Sequence, residues 1–410
     1  MPSIENKIID LLLTKVRKSA PKPLVSGSGT VPGPSGRLER TVTKREVRFR
    51  DFEAVAALKR RVGLPPDSRK NWQRLWRDNP ALAGRRQQSC MGWVLEADEK
   101  IVGYLGSIPL LYHYANKTLN AAVASGFATD RPYRAFSLGL VASFYRQEDV
   151  DLFLNTTAIE AVGKIMSAFK ADPLPQKDYD TVLFWVLDPN IFCKALIQKL
   201  NTNATFVKIG SVLGSLALHA DVVLRNRLPG GIASRLHISE TSVSEIGDDF
   251  QGLWLKKLKE RPRLLADRTP AVLRWHFEIS EKRQSTRVLR CDSSGRLAGY
   301  AIVTNEVDTE IGLRRAVLAD LLVEDDDPRI TERLLTAAYE DAKGAGIHIL
   351  EVLGFPRNIR QICLQWKPYA RKYPACPFFY RARDQELHRK LEDEDMWYAC
   401  PFDGDTTLSP

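Results

Sequence analysis

The chain has no run of about 18 uncharged apolar residues, so no segment reads as a transmembrane helix. Its N-terminus lacks the basic, then apolar, then small-residue order of a secretory signal, and the expected compartment is the cytoplasm. Cysteine is sparse: Cys90, Cys193, Cys291, Cys363, Cys376 and Cys400 are scattered and form no C-x-x-C pair. The six histidines do not fall beside them at metal-ligand spacing. This argues against a disulfide framework and the common zinc arrangements, and leaves buried thiols in a reducing environment. No DNA- or RNA-binding module pattern accompanies the basic residues, so nucleic acid is not the expected partner.

What is present is enough for more than one core. A chain of 410 residues favours two domains of ordinary size, and 44% hydrophobic with 27% charged residues is a globular composition. The net charge of +10 favours an anionic partner: anionic lipid or a polyphosphate cofactor. Ile4, Ile8, Leu11, Leu12 and Val16 fall at helical spacing, and residues 19–36 are rich in Pro, Gly and Ser. A short amphipathic helix on a flexible linker is expected over residues 1–40, with a self-docked tail or a weak membrane-surface contact through residues 4–16 as its two readings.

The stretch from Ala121 to Phe144, AAVASGFATDRPYRAFSLGLVASF, carries the strongest local signal. It reads as an apolar strand, a proline-marked turn, a small-residue loop and an apolar helix from about Ser137 to Arg146. Within it Arg134 to Gly139 form R-x-x-S-x-G at a strand-to-helix junction. Small residues there let amides of Phe136 to Leu140 approach an anion, the helix dipole favours negative charge at the same spot, and Arg134 adds a positive one. This is the pattern of a phosphate cradle. The bland alternative is a tight turn with small residues for packing.

Around this motif the pattern predicts an α/β fold with mixed sheets. A helix over Phe52–Val62, a hairpin from Gly92 to Pro109 turning at Asp98-Glu99, strands at Ala121–Ala128 and Val150–Asn155, a helix over Ile159–Lys170 and a strand at Thr181–Leu187 make a first domain, 41–200. The second part, 201–410, repeats the opening: DEKIVGYLGSI in the first half matches SGRLAGYAIVT in the second. The repeat indicates an internal duplication. Where the first half has R-x-x-S-x-G, the second has Glu324, Asp325, Asp326 and Asp327, acids that would repel a phosphate.

The strand, YRAFSLG, helix and VDLFLN in succession resemble the acyl-CoA motif of the GNAT acyltransferase superfamily, and the hairpin with Gly103-Tyr104 resembles that family's second and third strands. The tail MWYACPFDGDTTL is similar to that of tandem GNAT-like proteins of bacteria. Ser137 stands where the family pattern has its first glycine. The likeness covers about residues 45 to 200 well and 240 to 400 more weakly. It implies two GNAT-like domains with central mixed sheets flanked by helices, the second degenerate. It also implies acetyl-CoA or another acyl-CoA as co-substrate, held by Phe127, Ala128 and Thr129 on the strand and by Arg134, Ala135, Phe136, Ser137, Leu138, Gly139 and Leu140 after it. The implied activity is transfer of an acyl group, acetyl being the simplest, to an amine or hydroxyl of a small-molecule, sugar or lipid precursor. FemAB-like aminoacyl transferases, which use charged tRNA, share the duplicated plan and are the nearest alternative; a non-catalytic acyl-CoA-binding protein is the other.

Acyl transfer needs a positioned nucleophile, a proton acceptor and a donor to the carbonyl oxygen. The resemblance places the last at an amide around Gly126 to Thr129. For the proton and for water or pantetheine, the catalytic candidates are Asn155, Glu160 and Tyr179, with Asp130, Glu96 and Tyr145 as further carboxyl and phenol groups. Asn155 and Glu160 have plain readings too, as a strand-end cap and as a charge favourable to a helix dipole. No histidine is placed in sequence to activate Cys193.

Overall fold

In the computed structural model, the described residues are 41–83, 90–158, 160–199, 214–222, 236–278, 283–373 and 378–408, with single positions at 224, 227 and 229. The expected helix at 4–16, its linker and Cys376 lie outside them. The chain opens with β1 (Val42–Glu46), α1 (Phe52–Arg61) and α2 (Arg69–Trp76). Ser68 caps α2 by accepting the Asn71 amide at 3.0 Å, and Trp72, Leu75 and Trp76 form its buried stripe. Then come β2 (Gly92–Ala97), β3 (Lys100–Tyr114) and β4 (Lys117–Thr129). Asp98 and Glu99 both have positive φ, the backbone that a two-residue hairpin turn requires. α3 (Ser137–Tyr145), β5 (Leu152–Asn155), α4 (Glu160–Ala168) and β6 (Asp172–Pro173) follow.

The remaining elements include β7 (Thr181–Val186), β8 (His237–Thr241), α5 (Asp248–Glu260), β9 (Leu265–Ala266), α6 (Pro270–Phe277), β10 (Arg283–Ser293), β11 (Arg296–Asp308), β12 (Leu313–Val323), α7 (Pro328–Gly344), β13 (Ile349–Val352), α8 (Arg357–Gln365), β14 (Tyr369–Lys372) and β15 (Phe379–Ala382), with further helices at Pro189–Lys199 and Gln385–Lys390. They build two mixed sheets. The first runs β1-β2-β3-β4-β5-β15-β6 with β9 against β3, and the second runs β14-β7-β13-β12-β11-β10-β8. Each is antiparallel except for one parallel pair, β4 with β5 and β12 with β13. Helices flank both.

One expectation is corrected here. Thr181–Leu187 was read as the last strand of the first domain, yet β7 pairs with β13 and β14 in the second sheet. In return β15, far down the chain, pairs with β5 and β6 in the first. Each sheet is completed by a strand from the other half, so a boundary near residue 200 does not separate the sheets. The local pattern of TVLFWV states only that the strand is buried; it carries no mark of the sheet that buries it.

The C-terminal segment binds the halves further. Past Val317 and Glu351 the pairing of β12 with β13 stops, and Tyr398 to Cys400 fill the gap. The Tyr398 hydroxyl donates to the Leu321 carbonyl, and the Phe355 amide donates to the Ala399 carbonyl at 3.0 Å. Gln176 brackets Ala399 by donating to its carbonyl at 2.8 Å and accepting its amide at 3.2 Å. Next along the tail, Asp403 meets Arg268 at 3.2 Å, while Arg268 also pairs with Asp320 at 3.0 Å, all three buried. A buried guanidinium facing two carboxylates fixes this segment in place, because withdrawing any member strands the others.

Because the strands are exchanged, a fragment of residues 41–200 is expected to show no cooperative urea transition by circular dichroism, whereas the whole chain does. Cooperative unfolding of the isolated fragment would contradict the interlocked topology.

Candidate active site

The site grows from the parallel pair. β4 and β5 share register only from Ala121↔Leu152 to Val123↔Leu154, after which they diverge. β4 keeps its bonds to β3 but bulges: between the pairs Gly106↔Ser125 and Tyr104↔Ala128, two residues, Gly126 and Phe127, face Leu105 alone. Gly126 has φ of +64°, and a Cβ there would lie 2.8 Å from the Lys59 side chain, so both backbone and space call for glycine. A bulge turns backbone groups out of the ladder, and both bulged residues line the cavity at the gap.

The sheet separates two cores at this gap. Leu58, Trp72, Leu75, Ile108 and Val123 lie on the face covered by α1 and α2. Ala122, Ala124, Leu140, Val141 and Ala158 lie on the face covered by α3 and α4. A cavity of about 310 Å³ opens at the gap, and its walls come from both cores, including Leu75 and Ile108 from one and Ala124 and Ala158 from the other. Ser125, Gly126, Phe127 and Asn155 line it at the split itself.

On the α3 side, Arg131–Phe136 form a turn of 3-10 helix that runs directly into α3 at Ser137. The expected loop is thus tighter than an open glycine loop, and the Ser137 hydroxyl closes it by donating to the Arg134 carbonyl at 2.6 Å. Among the described residues no side chain caps α3; the 3-10 turn leads directly into it, and the Ser137 amide donates to the Arg134 carbonyl. A Cβ at Gly139 would meet nothing within 4 Å, which leaves open space over that turn. Arg134, Ala135, Phe136 and Leu138 are exposed there, while Leu140 is buried under the sheet.

Of the other sequence candidates, Asn155 lines the cavity. It is buried against the cavity, and its Oδ1 accepts no hydrogen bond from the described residues. A buried acceptor left open in a cavity wall is suited to an N–H or O–H of a ligand. Glu160 opens α4, and its side chain lies outside the described part of the structure. Tyr179 is not brought to the cavity; it packs on Phe378 with its hydroxyl 3.4 Å from the Cys400 carbonyl. Glu96 and Asp130 are held in ion pairs by Arg45 at 2.6 Å and Arg61 at 2.8 Å. Tyr145 is buried with its hydroxyl on Met166, and burial pushes its phenol up. Burial likewise pushes the Cys193 thiol up to about 11, the reverse of what a nucleophile needs.

The group that sequence reasoning missed is Asp405. It lines the cavity, buried, and accepts hydrogen bonds from Thr156 Oγ1 at 2.6 Å and Thr157 Oγ1 at 3.2 Å. Burial pushes its carboxyl above the ordinary carboxylate value, against the lowering effect of those hydroxyls and of Ser125. Gly404 makes the approach possible: its φ is +106°, and a Cβ would sit 2.3 Å from Thr156. A signal was present in the tail, where Gly404 separates two acids in otherwise apolar sequence, but 249 residues of chain separate Asp405 from Thr156. Lys59 and Asp67, which also line the cavity, form a buried ion pair at 2.5 Å.

The second half is built differently: a cavity of about 710 Å³ lies there between Gln176, Asp326, Arg357, Arg360 and Trp397. Tyr398 to Cys400 occupy its split, and the four acids are bound internally. Lys256 and Arg296 hold Glu324; Lys257 and Arg263 hold Asp326 at 2.6 and 2.9 Å. Asp327 caps α7 by accepting the Arg329 amide at 2.8 Å.

This fold is that of the GNAT acyltransferases. A GCN5-related N-acetyltransferase from Anabaena variabilis aligns with a TM-score of 0.53 at 10% identity, over 84% of this chain and 73% of the other. Saccharomyces cerevisiae N-myristoyltransferase with bound myristoyl-CoA aligns with a TM-score of 0.51 at 13% identity, over 92% of this chain and 94% of the other. A probable N-acyltransferase from Enterococcus faecalis gives 0.53 at 8% identity, over 83% and 72%. No family model and no curated protein matches the sequence. At these identities the likeness is one of fold.

Because the folded-state pKa of Asp405 is raised, the native protein binds this proton more tightly than the unfolded chain. Stability from this group therefore falls as pH rises from the ordinary carboxylate range through the raised value. Asp405→Asn, which keeps hydrogen-bonding capacity without the charge, is expected to melt at or above the wild-type temperature at neutral pH. The difference should shrink on acidification, as read by thermal unfolding at the two pH values. A large loss of stability at neutral pH would mean that the carboxylate is structural.

Proposed function

We propose that this protein is an acyl-CoA-dependent acyltransferase whose first half carries the site, and that it moves an acyl group to an amine or hydroxyl of a small-molecule, sugar or lipid precursor. The observation that carries the reading is the cavity at the split of β4 from β5, with the buried carboxyl of Asp405 in its wall. The alignment with a structure whose own ligand is myristoyl-CoA supports the choice of co-substrate.

Each residue then has a task. The first-turn amides of α3, with Arg134, hold the diphosphate. The arm follows the split, where Asn155 Oδ1 accepts a hydrogen bond from it. A backbone N–H of the bulge at Gly126 and Phe127 donates to the carbonyl oxygen as it gains negative charge. Asp405 takes the proton of the attacking group while the new bond forms to the carbonyl carbon, the C–S bond breaks, and the thiolate leaves with CoA. A carboxyl raised toward neutrality is a better proton acceptor than an exposed one, because its pKa lies nearer that of the proton being taken. Asp67 is a poorer choice, since Lys59 already neutralises it. With Asp405 in place, the lack of an evident base no longer favours a non-catalytic role.

Two outcomes test the reading. In calorimetric titration with acyl-CoA, Gly139→Asp is expected to weaken binding by about a hundredfold or more, since a carboxylate would face the diphosphate, and to leave the fold intact because the position has room. Unchanged affinity would move the cofactor elsewhere. Asp405→Asn is expected to retain acyl-CoA binding and to lower kcat by about 100- to 10,000-fold. The acid limb of the wild-type pH profile, where rate rises as Asp405 loses its proton, should be absent from the variant. Full activity in Asp405→Asn would remove this residue from the mechanism.

A further inference from the structure

The cavity draws its walls from both faces of the first sheet. α3 belongs to the core on one face of the first sheet, so a cofactor whose diphosphate lies on α3 enters the split from that face. The cavity continues through the sheet to the opposite face, where it is walled by Leu64, Pro65, Leu75, Ile108 and Leu408. The polar groups at that end do not call for a polar ligand. Lys59 is paired with Asp67 and also lies 5.6 Å from the ring centroid of Tyr104, so its charge is met from within. An acetyl group would leave this end unfilled, with apolar side chains facing empty space or water, which is costly in either case.

Resting on the acyl-CoA reading above, we infer that the acyl group is a medium-length chain, not acetyl, and that Leu75 and Ile108 set its length. The volume decides how long. An apolar cavity of roughly 150 Å³ holds a six-carbon ring. The observed volume of about 310 Å³ is about twice that. One share goes to the end of the pantetheine arm at Ser125 to Phe127 and Asn155. The other accommodates on the order of six acyl carbons.

The test is a binding series without acceptor: free CoA, then acetyl-, butyryl-, hexanoyl-, octanoyl- and myristoyl-CoA, each by calorimetry on the full chain. Affinity is expected to rise about fourfold for each methylene, the ratio equivalent to ~0.8 kcal/mol per buried CH₂, and to stop rising near hexanoyl or octanoyl. Ile108→Phe should move the break toward acetyl, and Ile108→Ala should move it toward longer chains. The wild-type series decides the matter even where a core variant folds poorly. Equal affinity for all chain lengths would overturn the inference and assign the apolar end to an acceptor; tightest binding of acetyl-CoA would overturn it as well. Failure of free CoA and every thioester to bind is a distinguishable result, which removes the underlying acyl-CoA reading too.

Discussion

Beyond Val123 and Leu154, β4 and β5 no longer share hydrogen bonds, although both strands are central in their sheet. Backbone groups that a continuous sheet would satisfy are left facing a cavity, which a fold tolerates only where something else meets them. The rest of the first half follows from this gap. The bulged residues Gly126 and Phe127 line it, α3 belongs to the core on one side of it, and Asn155 ends β5 at its edge with an acceptor that no described residue meets. The same divergence in the second sheet has a different outcome, because Tyr398 to Cys400 fill it with protein. In the first sheet the split borders a cavity; in the second the chain itself occupies it.

The two halves are therefore not independent copies. The tail that closes the second split continues past the Arg268–Asp320–Asp403 cluster and places Asp405 and Leu408 in the first cavity. Leu408 is held at its carbonyl by Arg74 at 2.9 Å, and Thr407 meets His276 at 3.0 Å, so side chains from both halves fix the last described residues. The second half thus carries the Asp405 carboxyl to a cavity walled by the first, and the exchanged strands β7 and β15 tie the two sheets together.

Much of this was legible locally. The apolar strand, the proline and the small residues before Leu140 marked α3, and the two Gly-Tyr segments marked a hairpin in each half. What was not legible is what depends on distant parts of the chain. A short apolar run such as TVLFWV satisfies either sheet equally, so its exchange left no trace in spacing. Asp405 lacks a sequence neighbour that reveals its burial, and its meaning rests on Thr156 and Thr157 at the end of β5. Tyr179, a candidate acid in the sequence, lies just ahead of β7, and that strand belongs to the second sheet and takes the residue away from the cavity. The four acids at Glu324 to Asp327 read in sequence as hostile to phosphate; in the structure Lys256 and Arg296 pair with Glu324, and Lys257 and Arg263 with Asp326.

The central claim is that one of two similar splits binds acyl-CoA and the other does not. Hydrogen–deuterium exchange with and without hexanoyl-CoA measures this directly on the intact chain. The account predicts new protection at Gly126 to Thr129 and at Ser137 to Leu140, and none at Glu324 to Ile330. Protection in the second segment, or in neither, would contradict it.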